Sequence, residues 1–157
     1  MSKPMPSVLF VCLGNICRSP LAEAALRHVA EEAGIDLTID SAGTGSWHIG
    51  EAPDPRARAE AQRHGIDITR YRARQVSTAD FTRFDHILAL DTQNFADLEA
   101  IRPSDASASL ALLLDHVPGM EGRSVADPYF GGAQGFEETW REVSLAARHL
   151  LADIVEA

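Results

Sequence analysis

The chain begins with a short, uninterrupted apolar run. Residues 8–12 (VLFVC) stop just before Gly14, the pattern of a strand buried on both faces. Ser19-Pro20 follows, an N-cap and a first-turn proline, so a helix is expected from there to about Gly34, whose missing Cβ suits a C-terminal stop. Residues 36–41 (DLTIDS) predict a second strand, and Pro55 opens a second helix that Gly65 ends. A third strand is expected over 84–90 (FDHILAL), with a helix over 92–101 after it. The leucine-rich segment 109–116 is ambiguous and reads best as a short helix running into a strand. Near the end, Phe136, Trp140, Val143, Ala147, Leu150 and Ile154 recur at a 4-3-4-3-4 spacing, the signature of an amphipathic helix. Strands alternating with helices imply an α/β fold, a parallel sheet covered on both faces. In such sheets ligands sit at the carboxyl ends of the strands, and the first strand ends at Cys12.

The candidate chemistry lies there. Cys12-Leu13-Gly14-Asn15-Ile16-Cys17-Arg18-Ser19 joins the first strand to the first helix. Backbone N–H groups in a loop that closes on a helix N-terminus point inward and form an anion cradle, to which the helix dipole adds partial positive charge. A cysteine at the mouth of that cradle, beside an arginine, is favoured as thiolate over thiol. The residue types suit phosphate chemistry, with Cys12 as nucleophile, Arg18 as a planar fork for two phosphate oxygens, and Ser19 as helix cap and hydroxyl donor toward the sulfur. Gly14 and Asn15 are expected to take up the positive φ of a tight loop. The alternative is an inert buried cysteine in a strand-to-helix turn. A Walker-type phosphate loop is excluded, since no G-x-x-x-x-G-K is present.

Composition narrows the field. With 157 residues, 45% hydrophobic and 24% charged, the chain has the make-up of one soluble globular domain, expected to span 1–157. The formal net charge of −9 argues against nucleic acid or an anionic membrane as partner, because both need a positive field. That charge is unevenly placed. Residues 1–79 carry nine basic and nine acidic side chains, whereas 80–157 carry five and fourteen, so an anion site belongs in the first half. Two cysteines five positions apart make no disulfide framework and no structural zinc site, which points to a reducing compartment. The apolar run 8–13 is too short to span a bilayer, and the expected location is the cytoplasm. Six histidines show no paired-ligand spacing, so no metal site is assigned. Six arginines between Arg56 and Arg74 read as a solvated face, or as a group that guides an acidic phosphopeptide or steadies the cradle.

Taken together, V-C-L-G-N-I-C-R-S-P-L-A-E, D-S-A-G-T at Asp40 to Thr44, A-R-Q at Ala73 to Gln75 and D-P-Y-F at Asp127 to Phe130 resemble the low-molecular-weight protein tyrosine phosphatase family over essentially the whole chain. The resemblance implies a three-layer α/β/α fold with a central four-stranded parallel sheet, phosphatase I-like. It also implies hydrolysis of phosphotyrosine through a phosphocysteine on Cys12, without metal or cofactor. Arg18 and the loop residues Leu13, Gly14, Asn15, Ile16, Cys17 and Ser19 would hold the phosphate. By the same pattern Asp127 is the general acid and base, although Asp-Pro read alone is only a turn former. Ser41 and Asn15 would belong to a hydrogen-bond network that keeps the loop in shape, and Trp47, Tyr129 and Phe130 would line the substrate slot. Where the family usually has a histidine in that network, this chain has Tyr71. Cys17 is either a small buried hydrophobe or, as the resemblance implies, a reversible disulfide partner for Cys12. The implied partners are phosphotyrosine proteins, a tyrosine kinase among the candidates, with inorganic phosphate as product. Arsenate reduction on this fold needs further cysteines, and none follows Cys17. Phosphoarginine phosphatases carry threonine where this chain has Ile16.

Overall fold

The computed structural model describes residues 5–156. Four strands, β1 (Ser7–Cys12), β2 (Thr38–Gly43), β3 (His86–Ala89) and β4 (Ser109–Leu112), form one sheet in the order β2-β1-β3-β4, parallel throughout. The helices are α1 (Arg18–Ala33), α2 (Pro55–Arg63), α3 (Asp80–Arg83), α4 (Thr92–Ile101) and α5 (Ala133–Glu156), with a 3-10 turn over Leu113–His116.

Strand parity explains the layers. Successive side chains of β1 point to opposite faces, so Val8, Phe10 and Cys12 join the core under α1, α2 and α5, while Leu9 and Val11 join the core with Phe81 of α3 and Leu98 of α4. Both faces are filled, which is why the strand reads as continuously apolar. Parity also aims the Cys12 side chain toward the layer that contains the start of α1. The chain leaves β1 for β2 on one side and then crosses to β3 on the other. That reversal opens a crevice at the carboxyl end of β1, where an open parallel sheet binds its ligand.

Several expectations need correction. The segment 109–116 runs in the opposite sense to that expected: the strand comes first, paired to β3, and a 3-10 turn follows. Leucines suit either element, and the unpaired edge of β3 decides for a strand. The short α3 has no counterpart among the expected elements, and β2 starts two residues late and continues to Gly43. Ser19 does not cap α1. The cap position is Cys17, without a side-chain cap bond, and Ser19 lies inside the first turn with its hydroxyl turned to Cys12. Gly34 does end α1, in the left-handed conformation at φ 69°. Pro55 does open α2, with Asp54 as its cap, accepting from the Arg56 N–H at 2.8 Å.

Candidate active site

Between β1 and α1 the loop turns its carbonyls outward. Cys12 O, Leu13 O and Ile16 O accept from the N–H groups of Thr44, Gly45 and Asp54 at 2.8–2.9 Å. The N–H groups of 13–17 donate to no acceptor among the described residues. Asn15, Ile16 and Cys17 are buried, and buried donors without acceptors are rare; these lie between Cys12 and the N-terminus of a 16-residue helix. An arrangement of this kind can hold an anion.

Asn15 holds the loop in this shape. It is the one non-glycine residue at positive φ among those described, at 58°, and it is 3% exposed. Its Nδ2 donates to Ser19 Oγ at 2.7 Å and to Ser41 Oγ at 3.0 Å, and its Oδ1 accepts from the Arg74 N–H at 3.0 Å. Ser41 Oγ in turn donates to Glu23 Oε1 at 2.7 Å. Ser19 Oγ lies 3.0 Å from Cys12 Sγ, and against a thiolate, which can only accept, its hydroxyl is the donor. The bonds diverge from the Asn15 amide, one hydrogen leading through Ser41 to Glu23 and the other to Ser19 beside the sulfur. Both amide hydrogens of Asn15 are taken without Tyr71, so the network closes despite the missing histidine. Tyr71 instead packs beside Glu23 and Arg27, where burial pushes its phenol up to about 12. Burial likewise raises Glu23 above the usual carboxylate range, more than the bonds from Ser41 and Arg27 lower it.

Gly14 does not carry the positive φ expected of it. Its place is steric, since an added Cβ would lie 3.1 Å from His48 Cδ2. Gly43 is more constrained. A Cβ there would stand 2.8 Å from Leu13 O and 3.2 Å from the Asn15 N, so the end of β2 can lie against the loop only as glycine. The A-R-Q segment completes this clamp: Gly43 N–H donates to Arg74 O, and the Arg74 guanidinium spans Asp40 and the fully buried Asp80.

Arg18 is 2% exposed. One of its nitrogens, Nη1, donates to Asp91 Oδ2 at 2.8 Å and to Val125 O at 2.9 Å. This leaves Nε and Nη2 as the parallel pair of donors suited to two oxygens of a tetrahedral anion. Asp127 stands on the other side, its Oδ2 3.6 Å from Arg18 Nη2 and its Oδ1 accepting from the Tyr129 N–H. The pocket over Cys12 is about 150 Å³, lined by Arg18, Asp127, Trp47, Tyr129, Phe130 and His48 among others. Tyr129 and Phe130 meet edge to face at 4.9 Å, and Phe130 is 93% exposed, so it is a rim residue and no part of the core. Cys17 also lines the pocket, and burial, with the Asp54 carboxylate nearby, pushes its thiol far above the ordinary cysteine range. Both cysteines are free thiols.

Of the residues singled out in the sequence, Cys12, Leu13, Gly14, Ile16, Cys17, Arg18, Trp47, Asp127, Tyr129 and Phe130 line one pocket, while Asn15, Ser19 and Ser41 are joined to one another behind the loop and do not line it. Three contributors, Asp91, Glu23 and His48, escape a reading of the sequence. Asp91 sits two residues past β3, at the same carboxyl edge of the sheet where β1 ends in Cys12, so topology could have flagged it. Glu23 and His48 carry no such signal. Arg56, one of the arginine group between 56 and 74, donates to the carbonyls of Tyr129 and Gly131 and so secures the segment that carries Asp127. A larger cleft of about 620 Å³ lies between α1, α2 and α5, but it contains no cysteine and no cradle. Among the described residues no group of His, Cys, Asp or Glu could hold a metal, and no helix is long and apolar enough to cross a membrane.

Comparison with known proteins points the same way. Residues 7–157 match the family described as low molecular weight phosphotyrosine protein phosphatase. A protein of that name from Schizosaccharomyces pombe is 41% identical over 150 residues, covering 94% of this chain and 96% of the relative. The crystal structure of YfkJ from Bacillus subtilis superposes with a TM-score of 0.92 at 39% identity, covering 99% of this chain and 98% of that one. A Drosophila arginine phosphatase superposes with a TM-score of 0.88 at 34% identity, covering 94% and 96%.

Proposed function

Since the chain belongs to the low molecular weight phosphotyrosine protein phosphatase family, we propose that it hydrolyses phosphotyrosine in proteins, and small aryl phosphates, through a phosphocysteine at Cys12. One observation carries this reading: Cys12 shares a pocket with the buried Arg18, and the loop between them has backbone N–H groups that find no acceptor among the described residues.

The steps follow from the geometry. Substrate phosphate enters the cradle with its three equatorial oxygens on the loop amides and on Nε and Nη2 of Arg18, which places phosphorus over Cys12 Sγ. The Cys12 thiolate attacks in line as the bond from phosphorus to the phenolic oxygen breaks. Charge on the equatorial oxygens meets donors already oriented for it, so little reorganisation is needed. Asp127, as the acid, passes its proton to the leaving phenolate. Then, as a carboxylate, it takes a proton from the water that attacks the phosphocysteine, releasing inorganic phosphate. The Ser19 hydroxyl, 3.0 Å from the sulfur, donates to the thiolate as it departs. The guanidinium and the amides supply the positive charge of the mechanism, which uses no metal.

The aromatic walls favour a long aryl phosphate over a short alkyl one, because the ring spans from the cradle to Trp47 and Tyr129. Ile16 in place of threonine supports tyrosine over arginine as the phosphorylated side chain. Phosphotyrosine proteins, a tyrosine kinase among them, are the proposed partners, and the cytoplasm the proposed location.

The test is aryl phosphate hydrolysis in excess chelator. Cys12→Ser is expected to abolish turnover, and Asp127→Ala to lower kcat by about 10²- to 10⁴-fold with a smaller effect on KM. Normal turnover by Cys12→Ser, or full inhibition by chelator, would refute the mechanism.

A further inference from the structure

Trp47 has two sides. One faces the pocket over Cys12; the other faces a groove of about 600 Å³ that runs to the end of α4. Leu13 and Trp47 line both, so the groove is continuous with the catalytic pocket across a single indole. The indole lies flat on Gly45, where an added Cβ would come within 1.9–2.7 Å of three ring atoms, so glycine at this position is what lets the ridge fold down.

The groove has a definite chemistry. Leu13, Trp47 and Ile101 are 42%, 69% and 41% exposed and form apolar walls beside the buried Val76. At the α4 side stands Asp97, whose carboxylate accepts from Gln93 Nε2 at 3.0 Å. Asp97 has no cationic partner among the described residues, and it belongs to the acidic half of a chain with net charge −9. An apolar trough ending in an unpaired carboxylate fits one kind of side chain, a long hydrocarbon stem with a cationic head.

Building on the phosphatase reading, we infer that this groove is a substrate subsite that selects phosphotyrosine peptides carrying a lysine or arginine close to the phosphotyrosine. The stem lies along Trp47, Leu13 and Ile101, and the head pairs with Asp97. The subsite adds to substrate capture what the overall negative charge of the protein withholds at long range.

The test uses one phosphotyrosine peptide in which a single lysine, its uncharged near-isostere norleucine, glutamate or glycine is walked through the positions flanking the phosphotyrosine. Values of kcat/KM are read beside those for a small aryl phosphate. At one flanking position lysine is expected to exceed norleucine by about threefold, the range of an exposed ion pair, and glutamate to be slowest. Asp97→Asn is expected to remove the difference between lysine and norleucine while aryl phosphate turnover stays as in the wild type. Ile101→Ser is expected to bring both lysine and norleucine peptides toward glycine. Equal rates for lysine and norleucine at every position, or a lysine preference that survives Asp97→Asn, would overturn the inference. So would Ile101→Ser behaving as wild type. Failure to hydrolyse aryl phosphate and every peptide would instead overturn the phosphatase reading, so the two failures are distinguishable.

Discussion

Asn15 accepts an unfavourable backbone angle and returns three hydrogen bonds, to Ser19, Ser41 and Arg74. Asparagine is among the few non-glycine residues that tolerate the left-handed region, and glycine, which tolerates it better, could make none of the three side-chain bonds. That combination is partly readable in the sequence, because positive φ in a tight loop is a local property. Arg18 shows the opposite case. Its place in the loop is evident from spacing, yet which of its nitrogens are left for substrate depends on Asp91, 73 residues away. Asp91→Asn keeps the cap that Oδ1 provides to the Asn94 N–H and removes the charge that fixes Nη1. A charge-assisted hydrogen bond contributes roughly 1.5–3 kcal/mol, so kcat/KM for an aryl phosphate is expected to fall about tenfold or more. Weaker competitive inhibition by inorganic phosphate, measured alongside, separates loss of the fork from loss of folding.

Among the elements, α1 has two roles. Its first turn supplies Arg18 and Ser19 to the cradle, and its second turn supplies Glu23, which reaches Ser41 of β2 and so ties helix, strand and loop together. Burial raises Glu23 from its ordinary value of 4.5, so the folded state holds that proton more tightly than the unfolded chain. The stability associated with the protonated form is therefore complete below about 4.5 and is lost as pH rises through the higher folded value. Glu23→Gln cannot titrate. The stability of the wild type relative to this variant, from urea unfolding at a series of pH values, is expected to decline from pH 4.5 upward and then level off. The same scale shows where local pattern is insufficient. α1 and α2 are legible from their first-turn prolines and closing glycines and α5 from its apolar spacing, while β4 is not, because its conformation depends on pairing with β3.

For the whole molecule, the net charge of −9 stands at odds with an anionic substrate. The fold resolves this by bringing the two halves of the chain together at one point. Cys12, Arg18 and the amides come from the neutral half, and Asp91 and Asp127 come from the acidic half to flank the guanidinium. On the proposed mechanism, capture rests on donors within hydrogen-bond range, where the overall field matters little. Arg56 of α2 joins the halves a second time through the carbonyls of Tyr129 and Gly131, with its guanidinium also 4.7 Å from the Phe136 ring centroid. Arg56→Ala is expected to lower kcat severalfold by loosening the segment that carries Asp127. Inhibition by inorganic phosphate should be unchanged, since the cradle is untouched; an equal loss in both would place Arg56 in the cradle instead. What the chain determines by itself is whatever depends on neighbours in sequence: the strand that ends at Cys12, the loop and helix start behind it, and the spacing of apolar stripes. What only the tertiary structure decides is which distant group completes each of these. Asp91 on Arg18, Glu23 behind Ser41, Arg56 under the Asp127 segment and Asp97 across the groove from Trp47 are juxtapositions set by strand order and helix packing. No local pattern encodes them, because the residues involved have no relation until the sheet brings them together.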